Sequence, residues 1–264
     1  ATLTCSSGDC PTLDDWSVEW GEGVLMTGTL QEADRSTNVA SGTIRVAVNG
    51  TLQGGTGSVS NGNWSIGNVT AFNGDVITVY VEGASDANRA VTSFVYNGAG
   101  NMTGVEMYEE HLTLAGDNSL PITNALLDSY DTVVAGDTDV FFNVSVTNEL
   151  VVCAVANCDG FSLYITDGID YRPSDSSAGN IDTGGFYNEG TFTLDGNTMR
   201  VGGNWDNQAT SSLGTGSVIF TATAGSYTIN DHTNQLTFPT LTFGEGSGSA
   251  EWRLLHPLTV TNDW

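Results

Sequence analysis

The stretch that decides the fold is residues 190–260, which includes GTFTLDGNTMRVGGNWDNQATSSLGTGSVIF (190–220) and LTFPTLTFGEGSGSAEWRLLHPLTV (236–260). Short runs of β-branched and aromatic residues alternate there with Thr, Ser and Asp, and Gly and Asn separate the runs. Six runs have the pattern of strands, at 191–194, 199–201, 218–223, 227–229, 236–243 and 252–260. Strands of this length between turn residues predict an all-β domain with regular chain reversals.

Composition and charge limit the partners of the chain. Its 264 residues hold 31 Asp and Glu against six basic residues, all of them Arg, for a net charge of −25. Such a surface repels nucleic acid and anionic lipid, so we expect no nucleic-acid partner. No apolar run reaches the roughly 18 residues of a transmembrane helix, so we expect no membrane insertion. The chain begins at Ala1 rather than Met, which fits a secreted product whose signal peptide has been removed.

The four cysteines form two pairs with the same spacing, Cys5 with Cys10 and Cys153 with Cys158. Four cysteines allow three connectivities, and pairing within each short loop is the simplest. Metal binding is the alternative, but the spacing is not the usual two-residue one and no His lies near either pair. We therefore expect two disulfides, and with them an extracellular protein that is secreted or held at the cell surface.

Residues 16–115 form the first predicted domain, and residues 1–15 form an N-terminal arm ahead of it. In the segment GTIRVAVNG (42–50), the large aliphatic residues alternate with other residues, as in a strand that has one face exposed to solvent. The turn at 73–75 separates two further strands. About seven short strands at spacings of roughly 8–12 residues predict an immunoglobulin-like sandwich. The pattern VNGT…NGNWSI…NGDVITVYVEGA also resembles the Ig-like modules of bacterial surface proteins.

Residues 116–264 form the second predicted domain, which we expect to be a β-sandwich or a short β-solenoid. Its connector, 116–135, has Leu126 and Leu127 in one helical turn. The polar segment 167–190 predicts a long exposed loop. The predicted fold class is therefore all-β, with two tandem β-sandwich-like domains, the first immunoglobulin-like, behind an N-terminal arm.

The stretch quoted at the outset also resembles a known kind of module. GTFTLDGNTMRVGGNWDN, followed by GTGSVIFTATAGSYTI, is similar to β-rich modules of large bacterial surface and secreted proteins. Those modules share a GTF-x-GGNW-x-GTGTV-x-F pattern. The resemblance implies a structural or adhesive role without catalysis.

The sequence carries none of the common catalytic signatures. Without lysine there is no Schiff base, no P-loop and no lysine–asparagine isopeptide bond. Neither a G-x-S-x-G elbow nor an H-E-x-x-H motif occurs. His111 follows Glu109 and Glu110, and we favour a strand-end histidine beside solvated carboxylates over the catalytic pair of a secreted glycan hydrolase. We therefore predict that the protein is not an enzyme and has no organic cofactor.

Three sets of residues could bind something other than protein. Acidic residues near the connector offer the hard oxygen ligands that calcium prefers, with solvated charge as the alternative, at Asp128, Asp131, Asp137 and Asp139. Tryptophan rings could stack on sugars, although a tryptophan on a strand is more often a core residue, at Trp16, Trp20, Trp64, Trp205, Trp252 and Trp264. Sequons mark candidate glycosylation sites at Asn49, Asn63, Asn68, Asn101 and Asn143.

Together these observations predict a non-enzymatic structural subunit of an extracellular filament or surface layer. Copies of the chain would join by strand addition, in which a terminal segment completes an open sheet edge of a neighbour. Residues 1–15 hold only Leu3 and Leu13 as large aliphatic residues, so the arm buries little in its own domain. We expect Thr2, Leu3 and Thr4 to be the exchanged strand. The alternative is a carbohydrate-binding or adhesive surface module, with glycans as partners.

Overall fold

The structure is a computed structural model, and it describes residues 23–85, 88–116, 119–130, 139–152, 160–174, 178–233, 237–244 and 248–261. Within these ranges the regular structure is β apart from the helical turn α1 (Asn124–Leu127), the 3-10 turn Asp128–Tyr130 and a 3-10 residue at Asn88. The all-β prediction is confirmed, and so is the helical turn at Leu126 and Leu127. No helix in the described residues has the length and hydrophobicity to cross a membrane.

The first half of the chain forms one continuous sheet. Its strands are β1 (Val24–Gln31), β2 (Ser41–Val48), β3 (Thr51–Leu52), β4 (Gly57–Ser60), β5 (Asn63–Val69), β6 (Val76–Val81), β7 (Val91–Tyr96), β8 (Met102–Tyr108), β9 (His111–Leu114) and β10 (Ser119–Leu120). Their order is β9-β7-β6-β2-β4-β5-β1-β8, with β3 beside β2 and β10 beside β7. The immunoglobulin-like pair of sheets is not confirmed, because hydrogen bonds connect all of these strands into a single sheet.

Local sequence explains the tight hairpins of this first sheet. Asn49-Gly50 joins β2 to β3 and Asn61-Gly62 joins β4 to β5, with positive φ at all four residues. Two consecutive positive φ values define the type I′ turn, which Asn-Gly adopts most readily. The sheet also curls on itself, since the Thr92 hydroxyl on β7 donates to the Glu106 carbonyl on β8 over 2.6 Å. The strands β6 and β7 are therefore buried along their whole length.

The second half of the chain is built from shorter strands. These are β11 (Phe142–Val144), β12 (Leu150–Val152), β13 (Ser162–Ile165), β14 (Asp170–Tyr171), β15 (Ile181–Thr183), β16 (Gly185–Asn188), β17 (Thr191–Thr193), β18 (Thr198–Val201), β19 (Trp205–Asn207), β20 (Ser211–Ser212), β21 (Ser217–Phe220), β22 (Ser226–Asp231), β23 (Thr237–Phe238), β24 (Thr240–Phe243), β25 (Glu251–Leu254) and β26 (Thr259–Val260). The strands β13, β16, β19, β22 and β25 extend the first sheet beyond β9. The others form the sheets β11-β12-β15-β18-β21-β24, β14-β17-β20 and β23-β26.

These short strands wind into a parallel β-solenoid. Apart from the antiparallel pair β11–β12, every pairing among β12 to β26 is parallel, and the chain returns to the same sheet once in each turn. Along the first sheet the register partners are Leu163, Phe186, Trp205, Ile229 and Leu254, at spacings of 23, 19, 24 and 25 residues. Each turn, or rung, stacks directly on the one before it.

One expectation for this half is wrong. Segment 167–190, expected as an exposed loop, contains β14, β15 and β16. The strands quoted at the outset follow one another in parallel rungs, and a short β-solenoid was one of the two forms expected for this domain. Strands of two to four residues are too short to show alternation, so their pattern looks like that of a polar loop. The strand on which each one stacks lies about one rung away in sequence, so the sequence around the strand carries no signal of that contact.

The solenoid interior contains a column of aromatic rings and a ladder of amides. Trp205 is fully buried, with its ring 4.5 Å from that of Phe186 and 5.6 Å from that of Phe238. Asn188, Asn207 and Asp231 occupy equivalent positions of successive rungs, and each Asn donates from Nδ2 to the next residue over 2.8 Å. The amides align the rungs because each one satisfies its neighbour in a dry interior.

Candidate functional site

The last described rung of the solenoid has open strand edges. The strand β24 pairs with β21, β25 with β22 and β26 with β23, and each is the outermost strand of its sheet. Among the described residues no strand pairs with their outer sides. We call β24, β25 and β26 the terminal rung.

Backbone hydrogen bonding shows which groups face outward. The Glu251 N–H donates to the Gly225 carbonyl over 2.8 Å, and the Leu255 N–H donates to the Ile229 carbonyl over 3.0 Å. Alternate residues of a parallel strand bond the same neighbour. The N–H groups of Trp252 and Leu254 are therefore directed to the open side, where an added strand could accept them.

Apolar side chains accompany this open backbone. Phe243, Leu254 and Leu255 expose 38%, 48% and 43% of their surface. Between Phe243 and Trp252 lies a pocket of about 180 Å³, which Gly248 and Ala222 help to line. Strand addition needs backbone groups for pairing and pockets for alternate side chains, and the terminal rung has both.

A second cluster lies on the outer face of the long sheet, where β9 joins the solenoid. The His111 ring lies 5.4 Å from the Tyr187 ring and 6.2 Å from the rings of Tyr108 and Tyr164. The Arg35 guanidinium lies over Tyr187 at 4.1 Å and over Tyr164 at 5.1 Å. These distances are typical of cation–π contacts, which are worth about 0.5–1 kcal/mol each at exposed positions.

The turn that carries Arg35 is held by one carboxylate. Asp34 accepts hydrogen bonds from the backbone N–H groups of Ser36 and Thr37 and from the Thr37 hydroxyl. These bonds, led by that of the Thr37 hydroxyl, hold the pKa of Asp34 well below its usual value. Arg35 itself has a φ of 59°, so the backbone there is left-handed. The turn directs a cation onto tyrosine rings that lie more than 120 residues away in sequence.

Burial shifts the pKa values of the titratable side chains in this cluster. It lowers the pKa of His111 to about 4, against a smaller opposing effect of the hydrogen bond to the Glu109 carbonyl. Burial likewise raises the pKa of Tyr164 and of Tyr108, and nearby carboxylates add to both shifts. The expectation of solvated carboxylates beside His111 is wrong for Glu109, which is buried with its pKa raised by desolvation.

A groove beside the cluster has a floor of glycine. It encloses about 300 Å³ and is lined by five glycines together with Ser162, Tyr187, Asn204 and Tyr227. At Gly203 a Cβ atom would come within 2.7 Å of the Gly184 carbonyl oxygen, so the close approach of successive rungs requires glycine there. We call this feature the glycine groove.

Only some of the predicted site residues lie in the part of the chain that the structure describes. The four cysteines (Cys5, Cys10, Cys153, Cys158) and the arm residues Thr2, Leu3 and Thr4 lie outside the described residues, as do Asp131 and Asp137. Asp128 is exposed at the end of α1, and Asp139 accepts a hydrogen bond from the Gly83 N–H over 2.7 Å. The disulfides and the calcium site stay predictions.

The sequons differ in how freely their side chains are presented. Asn49 is engaged, since its amide donates to Asp75 and its Oδ1 accepts from the Val76 N–H. Asn63, Asn68 and Asn101 are exposed, whereas Asn143 is half-buried. Asn63 and Asn101 each make a side-chain hydrogen bond, so the exposed Asn68 on β5 is the best-placed sequon among the described residues.

The tryptophans are mostly interior where they are described. Trp64 and Trp205 are core residues and Trp252 is half-buried at the terminal rung, which leaves Trp16, Trp20 and Trp264 outside the described residues. The sequence analysis did not identify Tyr187 and Tyr227, the two tyrosines that line the glycine groove. Tyr164 and Tyr187 pair across adjacent strands, and a 23-residue spacing of tyrosines is the only sequence signal of that contact.

In the described part of the chain, no group of three or more His, Cys, Asp and Glu could hold a metal ion. Comparisons with protein-family models, with curated proteins and with solved structures gave no match.

Proposed function

We propose that the chain is a non-enzymatic structural subunit of an extracellular filament or surface layer, and that copies join by strand addition at the terminal rung. The observation that carries the proposal is the coincidence of outward N–H groups at Trp252 and Leu254 with the pocket between Phe243 and Trp252. An open, apolar sheet edge attracts another strand unless charge or proline protects it.

The terminal rung has little of that protection. The strand β25 carries one acidic and one basic residue, Glu251 and Arg253, and β24 reads TLTF without charge. Pro257 lies between β25 and β26 and leaves both strands free to pair. Such an edge favours a partner, and a second copy of the chain supplies one at high local concentration.

The proposed occupant is the N-terminal segment of the next copy. Thr2, Leu3 and Thr4 place one aliphatic side chain between two β-branched residues. A strand of this kind pairs through its backbone and inserts Leu3 into the pocket beside Phe243. Assembly of copies that each carry a net charge of −25 is opposed by repulsion, so salt or calcium should promote it.

Edge pairing is tested by substituting Leu254. Leu254→Pro removes the outward N–H and leaves the inward bonds of Glu251 and Leu255 in place. Negative-stain microscopy of the purified protein should show fibres for the wild type and none for Leu254→Pro. Leu254→Ala is the matched control, because it removes the same side chain and keeps the N–H, and it should still form fibres.

The occupant is tested by deleting residues 1–12. The truncated protein should keep its β circular dichroism and lose polymerisation, and adding a peptide of residues 1–12 to wild type should cap growing fibres. Unchanged fibres from the truncated chain would remove the arm from the proposal. Monodisperse wild-type particles under all salt conditions would overturn assembly itself.

A further inference from the structure

The glycine groove is an uncharged site on a strongly acidic chain. None of its nine lining residues is charged, whereas the chain carries a net charge of −25. The surrounding field disfavours an anion, and the groove offers a cation no carboxylate of its own. A neutral ligand suits it best.

The polar groups of the groove are free to bind. Asn204 Oδ1 accepts from both the N–H and the hydroxyl of Thr228, which orients its NH₂ group and leaves that group without a hydrogen bond in the described chain. Among the described residues, the hydroxyls of Ser162, Tyr187 and Tyr227 also lack partners. Four unpaired polar groups in one groove match a ligand that carries many hydroxyls.

His111 adds a buried acceptor behind the wall of the groove. It is 4% exposed, is the register partner of Ser162 and contacts the ring of Tyr187. Its Nδ1 lies 2.6 Å from the Glu109 carbonyl oxygen, so Nδ1 carries the proton and Nε2 has a lone pair. This Nε2 is buried without a hydrogen-bond partner, and His111 itself does not line the groove.

Together these features assign a ligand class, and we propose that the glycine groove binds a neutral saccharide. The tyrosine rings offer amphipathic walls, the glycines let a flat ring approach the backbone, and the hydroxyl and amide groups bond sugar hydroxyls. A volume of about 300 Å³ lies at the small end of ligand sites, so it accommodates a short glycan segment. This proposal does not depend on strand addition, although Tyr227, which lines the groove, also contacts Trp252 of the terminal rung.

Binding is tested by calorimetry with the full chain and defined probes. These are neutral hexasaccharides of glucose, mannose and N-acetylglucosamine, with oligogalacturonate as the acidic counterpart. At least one neutral probe should bind saturably, and the acidic one should bind more weakly. Tyr187→Phe, Tyr227→Phe and Ser162→Ala delete one hydroxyl each without changing the packing, and each should weaken binding roughly five-fold.

Tyr164→Phe is the matched control, because Tyr164 is not among the residues that line the groove. Its affinity should equal that of the wild type, and equal melting temperatures would show that all variants fold. Absence of binding by every neutral probe would overturn the proposal. Stronger binding of the acidic probe, or equal losses in the control and the groove variants, would overturn it as well. Fibre formation by Tyr187→Phe should be unchanged, which separates this site from assembly.

Discussion

The two halves of the chain share a sheet but encode their strands differently. The first half uses strands of up to eight residues, antiparallel neighbours and Asn-Gly turns. The second half uses strands of two to six residues that stack in parallel on strands one rung away. In the first half, alternation along a strand identifies the buried face. In the second, contacts between successive rungs define the structure.

The cores differ in the same way. Aliphatic residues such as Val46, Ile77 and Val79 fill the first half, and the Thr78–Ser93 hydroxyl pair is among its buried polar contacts. The solenoid interior instead holds the aromatic column around Trp205 and the ladder through Asn207. Side-chain contacts that repeat from rung to rung take over the alignment that hairpins provide in the first half. Matched substitutions in the two halves therefore test how much stability each kind of core contact contributes.

The largest effect should come from Trp205→Ala. The indole is fully buried among three rings, so its loss should cost about 3–5 kcal/mol of the free energy of unfolding. Trp64→Ala, which removes a buried indole from the first half, is the matched variant. Because one sheet runs through both halves, calorimetry should show a single transition that both variants lower. Two transitions that respond separately would mean that the halves unfold independently.

Acidification should weaken the junction between the halves. The folded pKa of His111 is about 4, below the ordinary value of 6.5, so the unfolded state binds more protons between these values. The stability from this group is complete above about pH 6.5 and is lost as the pH falls to 4, by about 3 kcal/mol. Glu109 and Glu110, with raised pKa values, act in the opposite direction.

Comparison with His111→Gln isolates the histidine from these carboxylates. Chemical denaturation from pH 7 to pH 4 should show a steeper loss of stability for wild type than for the variant. The same slope for both proteins would mean that His111 takes up its proton in the folded state as readily as in the unfolded one.

The amide ladder should matter more than a buried hydroxyl pair of the first half. Asn207→Ala leaves Asn188 and Asp231 without their shared partner, which should cost about 1–3 kcal/mol. Thr78→Val removes one hydroxyl from the buried Thr78–Ser93 pair of the first half and should cost about 1 kcal/mol. Urea denaturation measures both. A smaller loss for Asn207→Ala than for Thr78→Val would contradict the role given to the ladder.

The smallest effect should come from Thr123→Ala. Its hydroxyl caps α1 by accepting from the Leu126 N–H over 3.3 Å, and this bond should contribute about 0.5 kcal/mol. The next residue, Asn124, is buried and ties α1 to the solenoid by donating to the carbonyls of Asn148 and Asn180. A melting temperature lowered by several degrees would mean that the cap also aligns Asn124.

The sequence predicted the β class and most strand positions, because β-branched runs and Gly or Asn breaks are local signals. It offered a short β-solenoid only as an alternative to a β-sandwich and did not identify the stacking partners, since those of Phe186 lie 23 residues before and 19 residues after it. Strand β14, with two residues, is too short to differ from a polar loop.

The candidate sites were predicted less well than the fold. Trp64 and Trp205 are core residues, as their strand positions suggested, but the groove tyrosines stayed hidden. Tyr187 meets His111 and Arg35 only after β9, β13 and β16 align and the turn at Asp34 folds over them. A site assembled from four distant segments leaves no motif in one sequence. The open edge of the terminal rung was not predicted for a related reason. Which strand is outermost depends on the order of strands in the sheet, and the sequence does not show that order.

Parallel stacking also has a mechanical consequence. In the solenoid the hydrogen bonds between strands run along the stacking axis, so tension applied along that axis loads successive rungs in series. Pulling out one rung of 19 to 25 residues would lengthen the chain by roughly 60–90 Å, at 3.3–3.6 Å per extended residue. A fibre loaded in this way would yield in steps, and each released turn would dissipate work before the next came under load.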